Sequence, residues 1–349
     1  MGEYSYHEQV DINNTRKLRA ILDTLPRFCH DFFRGIEATT SSRTRLAYAY
    51  DLRVFFEFLK ATNPALKDTA ITDIKIDILD QIKAIDIEEY LSYLTYYKSD
   101  VKERLNKENG KKRKLVSLRS FYNYYFKKEM IKTNPASLVS VPKLHEKAII
   151  RLDVDEVARL LDEVESAQNL SKKQQQFHEK TKVRDLAIMT LLLGTGIRVS
   201  ECVGLDINDV DFENNGIKIR RKGGYEAIVY FGDEVREALL DYLEERKHMI
   251  ACDGHTNALF LSLQMKRISV RSVENLVKKY ASAVTKLKKI TPHKLRSTYG
   301  TSLYRETGDI YLVADVLGHK DVNTTRKHYA AIEDDRRRSA ANLVKLRRE

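Results

Sequence analysis

The stretch GTGIRVSE, residues 194–201, follows the apolar run LAIMTLLL of residues 186–193, and together they decide how the second half of the chain folds. Apolar residues without β-type alternation over 181–193 predict a buried helix, which the glycines at 194 and 196 end. Interrupted by Thr190, the run falls far short of the roughly 20 residues needed to cross a bilayer. Arg198 stands just past the glycine break with Glu201 three positions on, the spacing at which helical side chains meet. Taken alone, such an arginine is more often a surface or ion-pair residue.

Downstream, GIKIRRKGGYEAIVYF from Gly216 alternates on both sides of Gly223 and Gly224, which predicts a hairpin with Lys222 at its tip. A hairpin lysine ordinarily protects a sheet edge. Helices resume from Asp233. In TPHKLR, Thr291 is placed to cap a helix whose first residue is Pro292. His293 and Arg296 then share one face beside an N-terminus whose N–H groups favour anions. In LGHKDVNTTRKHYAA, His319 follows a helix-ending Gly318, and Thr324 or Thr325 caps a short helix bearing Tyr329. A capped helix with one packed aromatic reads the same way.

Upstream, NPASLVSVPKLHEK, residues 134–147, lacks sustained periodicity and is placed as an interdomain linker. Residues 152–164 read as the first helix of a second domain, and QNLSKKQQQFHEKTK, residues 168–182, as an exposed polar loop without an assigned role. In SSRTRLAYAYDLRVFFEFLK, apolar residues Leu46, Tyr50, Val54, Phe55 and Phe58 recur at helical spacing. Ser41 or Ser42 is the cap, with Arg43 and Arg45 in the first turn. Further helices are expected at 86–98 and 115–129, and residues 1–24 form an extra polar segment with a short helix. The fold class expected is mainly α with a small β-sheet, organised as an extension (1–24), a helical domain (25–140), a linker (141–151) and a second domain (152–349).

Composition narrows the function. The 349 residues carry 61 Lys+Arg against 50 Asp+Glu, a net charge of +11, with 42% hydrophobic residues, enough to fold as packed domains. Residues 102–132 hold eleven basic residues against three acidic ones. So dense a segment favours a polyanion, because neutralised phosphates release counterions, and Lys111, Lys112, Arg113 and Lys114 are its candidate DNA contacts, with Arg43 and Arg45 beside them. A solvated lysine-rich helix face is the alternative. The interleaved Phe121, Tyr122, Tyr124, Tyr125 and Phe126 are read as helix core. Three distant cysteines without a CxxC pair fit a reducing cytosol, and the 9 histidines form no zinc-spaced cluster, so no metal is expected. The polar MGEYSYHEQV start lacks a secretory apolar core, and Tyr6 breaks the myristoylation pattern that Gly2 would open. A cytoplasmic, nucleoid-associated protein without a membrane anchor is expected.

Two arginines, a lysine, two histidines and a late tyrosine in a basic chain are the inventory for moving a phosphodiester onto a protein hydroxyl. Cations stabilise the pentavalent charge, a histidine handles the nucleophile's proton, and an acid protonates the departing oxygen. In this order, GTGIRVSE, the RRKGG hairpin, PHKLR with the following STYGTSLY, and LGHKDVNTTRKHY resemble the tyrosine recombinases, or phage integrase family, and within it the Xer-type and mobile-element integrases. The resemblance spans roughly residues 25–335, since SSRTRLAYAYDLRVFFEFL is similar to the start of the family's core-binding domain.

That resemblance implies a two-domain, C-shaped DNA clamp in which Tyr329 attacks the scissile phosphate to give a 3′-phosphotyrosyl intermediate. It implies Arg198 and Arg296 on the non-bridging oxygens, His319 as a further donor, Lys222 as the acid for the 5′-hydroxyl, His293 in proton transfer, and Glu201 orienting Arg198. Neither metal nor ATP is implied. The implied partner is duplex DNA with a specific site, held by a homotetramer that passes through a Holliday junction in chromosome dimer resolution or element integration, with an accessory protein as a further partner. A tail ending NLVKLRRE is implied to be an exchanged C-terminal helix. Tyr329 lies ten positions after His319 where many members have nine, a register that would select His328, and Ser297 stands where many have His. The alternatives are a type IB topoisomerase-like nicking-closing enzyme and a catalytically silent architectural DNA binder.

Overall fold

In a computed structural model, the structure describes residues 4–99, 102–142, 150–221, 223–285, 287–319 and 322. The chain divides into two compact units, Met1–Lys147 and Ala148–Glu349.

The first unit is built from α1 (Tyr6–Leu22), α2 (Cys29–Gly35), α3 (Ser42–Thr62), α4 (Ile78–Gln81), α5 (Ala84–Tyr93), the antiparallel strands β1 (Tyr96–Ser99) and β2 (Lys102–Leu105), and α6 (Glu108–Lys127). Ser41 caps α3 by accepting the Thr44 N–H. The core is aromatic: Phe32, Phe55, Phe56, Phe121, Tyr122 and Tyr125 are fully buried, and Phe121 meets Phe32, Phe56 and Tyr125 edge-on. Each such pair adds about 0.5–1.5 kcal/mol beyond the area it buries. Three expectations change here. Residues 6–22 are not a separate extension, because α1 packs on α3 and gives Leu18, Ile21 and Leu22 to the core. The helix expected over 86–98 stops at Tyr93, where Thr95, Tyr96 and Tyr97 favour the extended chain of β1. Finally, α6 begins at Glu108, seven residues before the expected 115, in a polar first turn that carries no apolar signal.

The second unit comprises α7 (Val154–Ser166), α8 (Lys172–His178), α9 (Lys182–Thr195), α10 (Val199–Gly204), the antiparallel strands β3 (Val210–Asp211), β4 (Gly216–Arg220) and β5 (Glu226–Tyr230) in that order, α11 (Asp233–Lys247), α12 (Val270–Val284), α13 (Pro292–Thr307) and α14 (Ile310–Leu317). Helix α9 is the axis: Ala187, Ile188, Met189, Leu191 and Leu192 are buried, and α7, α11 and α13 pack around it. A helix apolar on every side must be covered on every side. The exposed loop expected over 168–182 is instead partly helical, because Ser171 and Gln174 form a reciprocal cap for α8 and His178 is buried against Tyr280 Oη at 3.0 Å. The β4–β5 ladder closes at Arg220 opposite Glu226, so a five-residue tip, 221–225, joins the strands.

Candidate active site

Three breaks in this second unit bring the candidate residues together. The first is the end of α9, where Gly196 adopts φ 62°. A side chain there is excluded twice, by that left-handed backbone and by Tyr299, since a Cβ would lie 2.4 Å from its ring. The chain turns sharply and delivers Arg198 as the residue ahead of α10. Glu201, on the first turn of α10, holds Arg198 at two points: one carboxylate oxygen accepts the Arg198 backbone N–H at 2.7 Å and the other accepts Nη1 at 2.7 Å. The Glu201 side chain is 3% exposed and that of Arg198 33%, so the carboxylate is the buried anchor and the guanidinium tip is what solvent reaches.

The second is α13. Pro292 occupies its first turn and Thr291 its cap position, although the Thr291 side chain makes no capping hydrogen bond. One turn in, Arg296 is buried and donates Nη1 to the Gly196 carbonyl at 2.6 Å and Nη2 to the Leu317 carbonyl. His293, three residues earlier on the same helix, is exposed.

The third is the C-terminus of α14, where Gly318 has φ 61° and the His319 N–H returns to the Ala314 carbonyl at 2.9 Å. The last carbonyls of a helix lack partners within it and form its negative end. Here three successive ones are taken by arginines: Val316 accepts from Arg221 Nη2 at 2.9 Å, Leu317 from Arg296, and Gly318 from Arg198 Nη2 at 3.4 Å. Three guanidinium groups thus converge beside His319, and Glu201 is the carboxylate partner of Arg198. The positive charge of Arg198 and Arg296, with their planar donor forks, suits a phosphate.

Arg198, Glu201, Arg296 and His319 are therefore brought to one turn. His293 lies on the helix of Arg296, and Lys222 and Tyr329 lie outside the described residues. Arg221 was missed by sequence reading: in RRKGG it reads as one more strand position, and no periodic signal announces a side chain that turns inward. The neighbouring Cys202 is buried, which pushes its thiol up to about 12 and keeps it neutral. A cavity of about 560 Å³ lined by Phe177, Arg184, Lys266, Ser272 and Lys279 opens elsewhere on the unit and includes none of these residues. Among the described residues, no group of His, Cys, Asp and Glu could hold a metal ion, and no helix is long and apolar enough to cross a membrane.

In the first unit the basic candidates separate. Arg43 and Arg113 are exposed, while Lys111 is largely covered beside Glu108, and Lys112 is half-buried. Arg45 and Lys114 point inward. Arg45 Nη1 donates to the carbonyls of Glu37 and Thr40, both at 2.9 Å, and Lys114 Nζ lies 3.7 Å from the buried Asp51, which also accepts from Arg113 at 2.5 Å. Desolvation pulls the Lys114 ammonium below its usual range and raises Asp51, each offset in part by the other's charge. Arg45 and Lys114 hold the fold, a correction to their reading as DNA contacts: each is under a tenth exposed and committed to internal acceptors.

Comparison with known proteins identifies the family. The model of the phage integrase family matches residues 151–336. The tyrosine recombinase XerC of Caldanaerobacter subterraneus subsp. tengcongensis is 35% identical over 91% of this chain and 86% of its own, and the XerC of Chlorobaculum tepidum is 31% identical over 86% and 88%. The fold is shared with the XerH site-specific recombinase bound to a palindromic difH substrate (TM-score 0.63, 21% identity, 87% of this chain and 80% of that one). It is shared also with a lambda integrase dimer bound to a core site (TM-score 0.61, 16% identity, 86% and 94%). The chain belongs to the phage integrase family, the tyrosine recombinases. Within that family its similarity to Xer proteins runs over most of its length, and it is a site-specific recombinase.

Proposed function

We propose that the arginine-lined turn at the end of α14 receives the scissile phosphodiester of duplex DNA and that Tyr329 is the nucleophile. The observation that carries this reading is the convergence of Arg198, Arg296 and His319 on one turn, ten residues ahead of Tyr329 in the chain. The Tyr329 Oη–phosphorus bond forms as the phosphorus–O5′ bond breaks. Arg198 and Arg296 hold the non-bridging oxygens and His319 donates to the same pentavalent charge. The phenolic proton leaves with the help of His293, and Lys222 protonates O5′. Each covalent link exchanges one phosphoester for another, so rejoining draws on no outside energy source. Arg43, Lys111, Lys112 and Arg113 contact the DNA backbone.

The chain acts as a Xer-type recombinase, assembling as a homotetramer on two copies of a specific site and exchanging strands in two steps through a Holliday junction. The identity to XerC proteins over most of both chains supports this choice. The test is strand exchange between two labelled duplexes drawn from chromosome-terminus sites, with sequence flanking the gene as the competing substrate. Recombinant product from the terminus sites, lost in Tyr329→Phe while binding persists, supports the reading. Product from flanking sequence alone would make the protein an element integrase, and nicking and closing without recombinants would make it a topoisomerase-like enzyme.

A further inference from the structure

Arg221 is the feature that the proposed reaction leaves unused. The residue is only 7% exposed, although its described neighbours in the hairpin tip, Gly223, Gly224 and Tyr225, are all exposed. The tip is closed on itself at Arg221, whose N–H donates to Tyr225 at 2.9 Å and whose carbonyl accepts from Gly224 at 3.0 Å. From that fixed backbone the guanidinium crosses to α14, where Nη2 donates to the Val316 carbonyl, while Nη1 is buried with no acceptor among the described residues. The approach is so close that a Cβ on residue 318 would sit 1.6 Å from Nη1, so any side chain there would displace the Arg221 guanidinium. A buried cation with one nitrogen left without an acceptor among the described residues is costly to hold in place.

We propose that Arg221 is a positioning residue, a latch that fastens the β4–β5 hairpin to the turn carrying His319. Because Lys222 is the next residue in the chain, the latch governs its delivery to the reaction. The proposal rests on the reading of Lys222 as the general acid, and it makes acid delivery depend on a contact made by the residue before it. With the latch released, phosphate binding by Arg198 and Arg296 stays intact and proton delivery to O5′ fails.

The experiment uses the full chain and nicked duplexes carrying either the natural 5′-bridging oxygen or a 5′-bridging sulfur. Breaking phosphorus–sulfur releases a thiolate that needs no proton. Arg221→Ala and Arg221→Met, the second filling the site without charge, are expected to slow covalent-adduct formation on the oxygen duplex by about 10²-fold. Both are expected to stay within about threefold of wild type on the sulfur duplex, as is DNA affinity, the size of effect a lost acid leaves behind. Arg221→Lys recovers part of the rate on oxygen. Lys222→Ala is run beside them. Rescue of Lys222→Ala by sulfur without rescue of the Arg221 variants overturns the latch alone, and so does a wild-type rate for Arg221→Met on oxygen. Failure of sulfur to rescue Lys222→Ala removes the general-acid reading and the latch with it.

Discussion

Replacing Glu201 with Gln tests the clamp at its anchor. The glutamine oxygen still accepts the Arg198 backbone N–H, but the second contact, Nη1 to Oε1 at 2.7 Å, loses its charge and one acceptor. A hydrogen bond to a charged group contributes about 1.5–3 kcal/mol. At about 1.4 kcal/mol per factor of ten, disordering the Arg198 fork slows cleavage by about 10- to 100-fold. Ground-state DNA affinity moves the other way or not at all, because a negative charge has left a site that binds phosphate. Single-turnover adduct formation and equilibrium binding, measured on the same duplex, separate the two effects. In an Arg198→Ala background the same substitution costs nothing further, since the group it orients is gone. An equal rate loss in that background, or a wild-type rate for Glu201→Gln, would refute the assignment of Glu201 as the residue that aims Arg198.

Lys114→Met leaves buried Asp51 with Arg113 as its cation and is expected to cost about 1–3 kcal/mol by urea denaturation, with the salt slope of DNA binding unchanged, whereas Lys111→Ala with Lys112→Ala flattens that slope. Phe121→Ala opens the aromatic core of the first unit and is expected to remove about 3–5 kcal/mol, read as a lowered Tm. Burial raises Tyr122, Tyr125 and Tyr280 far above the ordinary phenol range. Above pH about 10 the unfolded chain therefore loses phenolic protons that the folded chain keeps, and stability falls as pH rises, by up to about 1.4 kcal/mol per pH unit for each phenol. Denaturation at pH 8 to 11 checks the sign: a flat or rising profile contradicts it.

Where the sequence was legible, a local rule governed. The apolar run of α9, the glycine stop at 196, the Ser41 cap and the proline at the start of α13 each act within one or two turns, and each is found where it was expected. Glu201 was legible for the same reason, being one turn from Arg198. What escaped was set by partners distant in the chain. Lys114 is called inward by Asp51, 63 positions away, and Arg45 by carbonyls of a preceding turn, so a charge count over residues 102–132 overstated the surface available to DNA. Arg221 reaches a carbonyl 95 residues on, and only the fold reveals the glycine at 318 that makes room for it. The polar start of α6 at Glu108 carries no apolar periodicity to announce it, and α8 at Lys172 was read as a loop because a reciprocal cap, not apolar periodicity, begins it.

The most direct measurement is to trap the covalent intermediate on a nicked duplex in the presence of EDTA, digest the denaturation-resistant adduct and sequence the DNA-bearing peptide. DNA attached to Tyr329 through a 3′ phosphate is the expected result. Attachment at His328 or any other residue, or no adduct on a duplex that is tightly bound and cleaved, would contradict it.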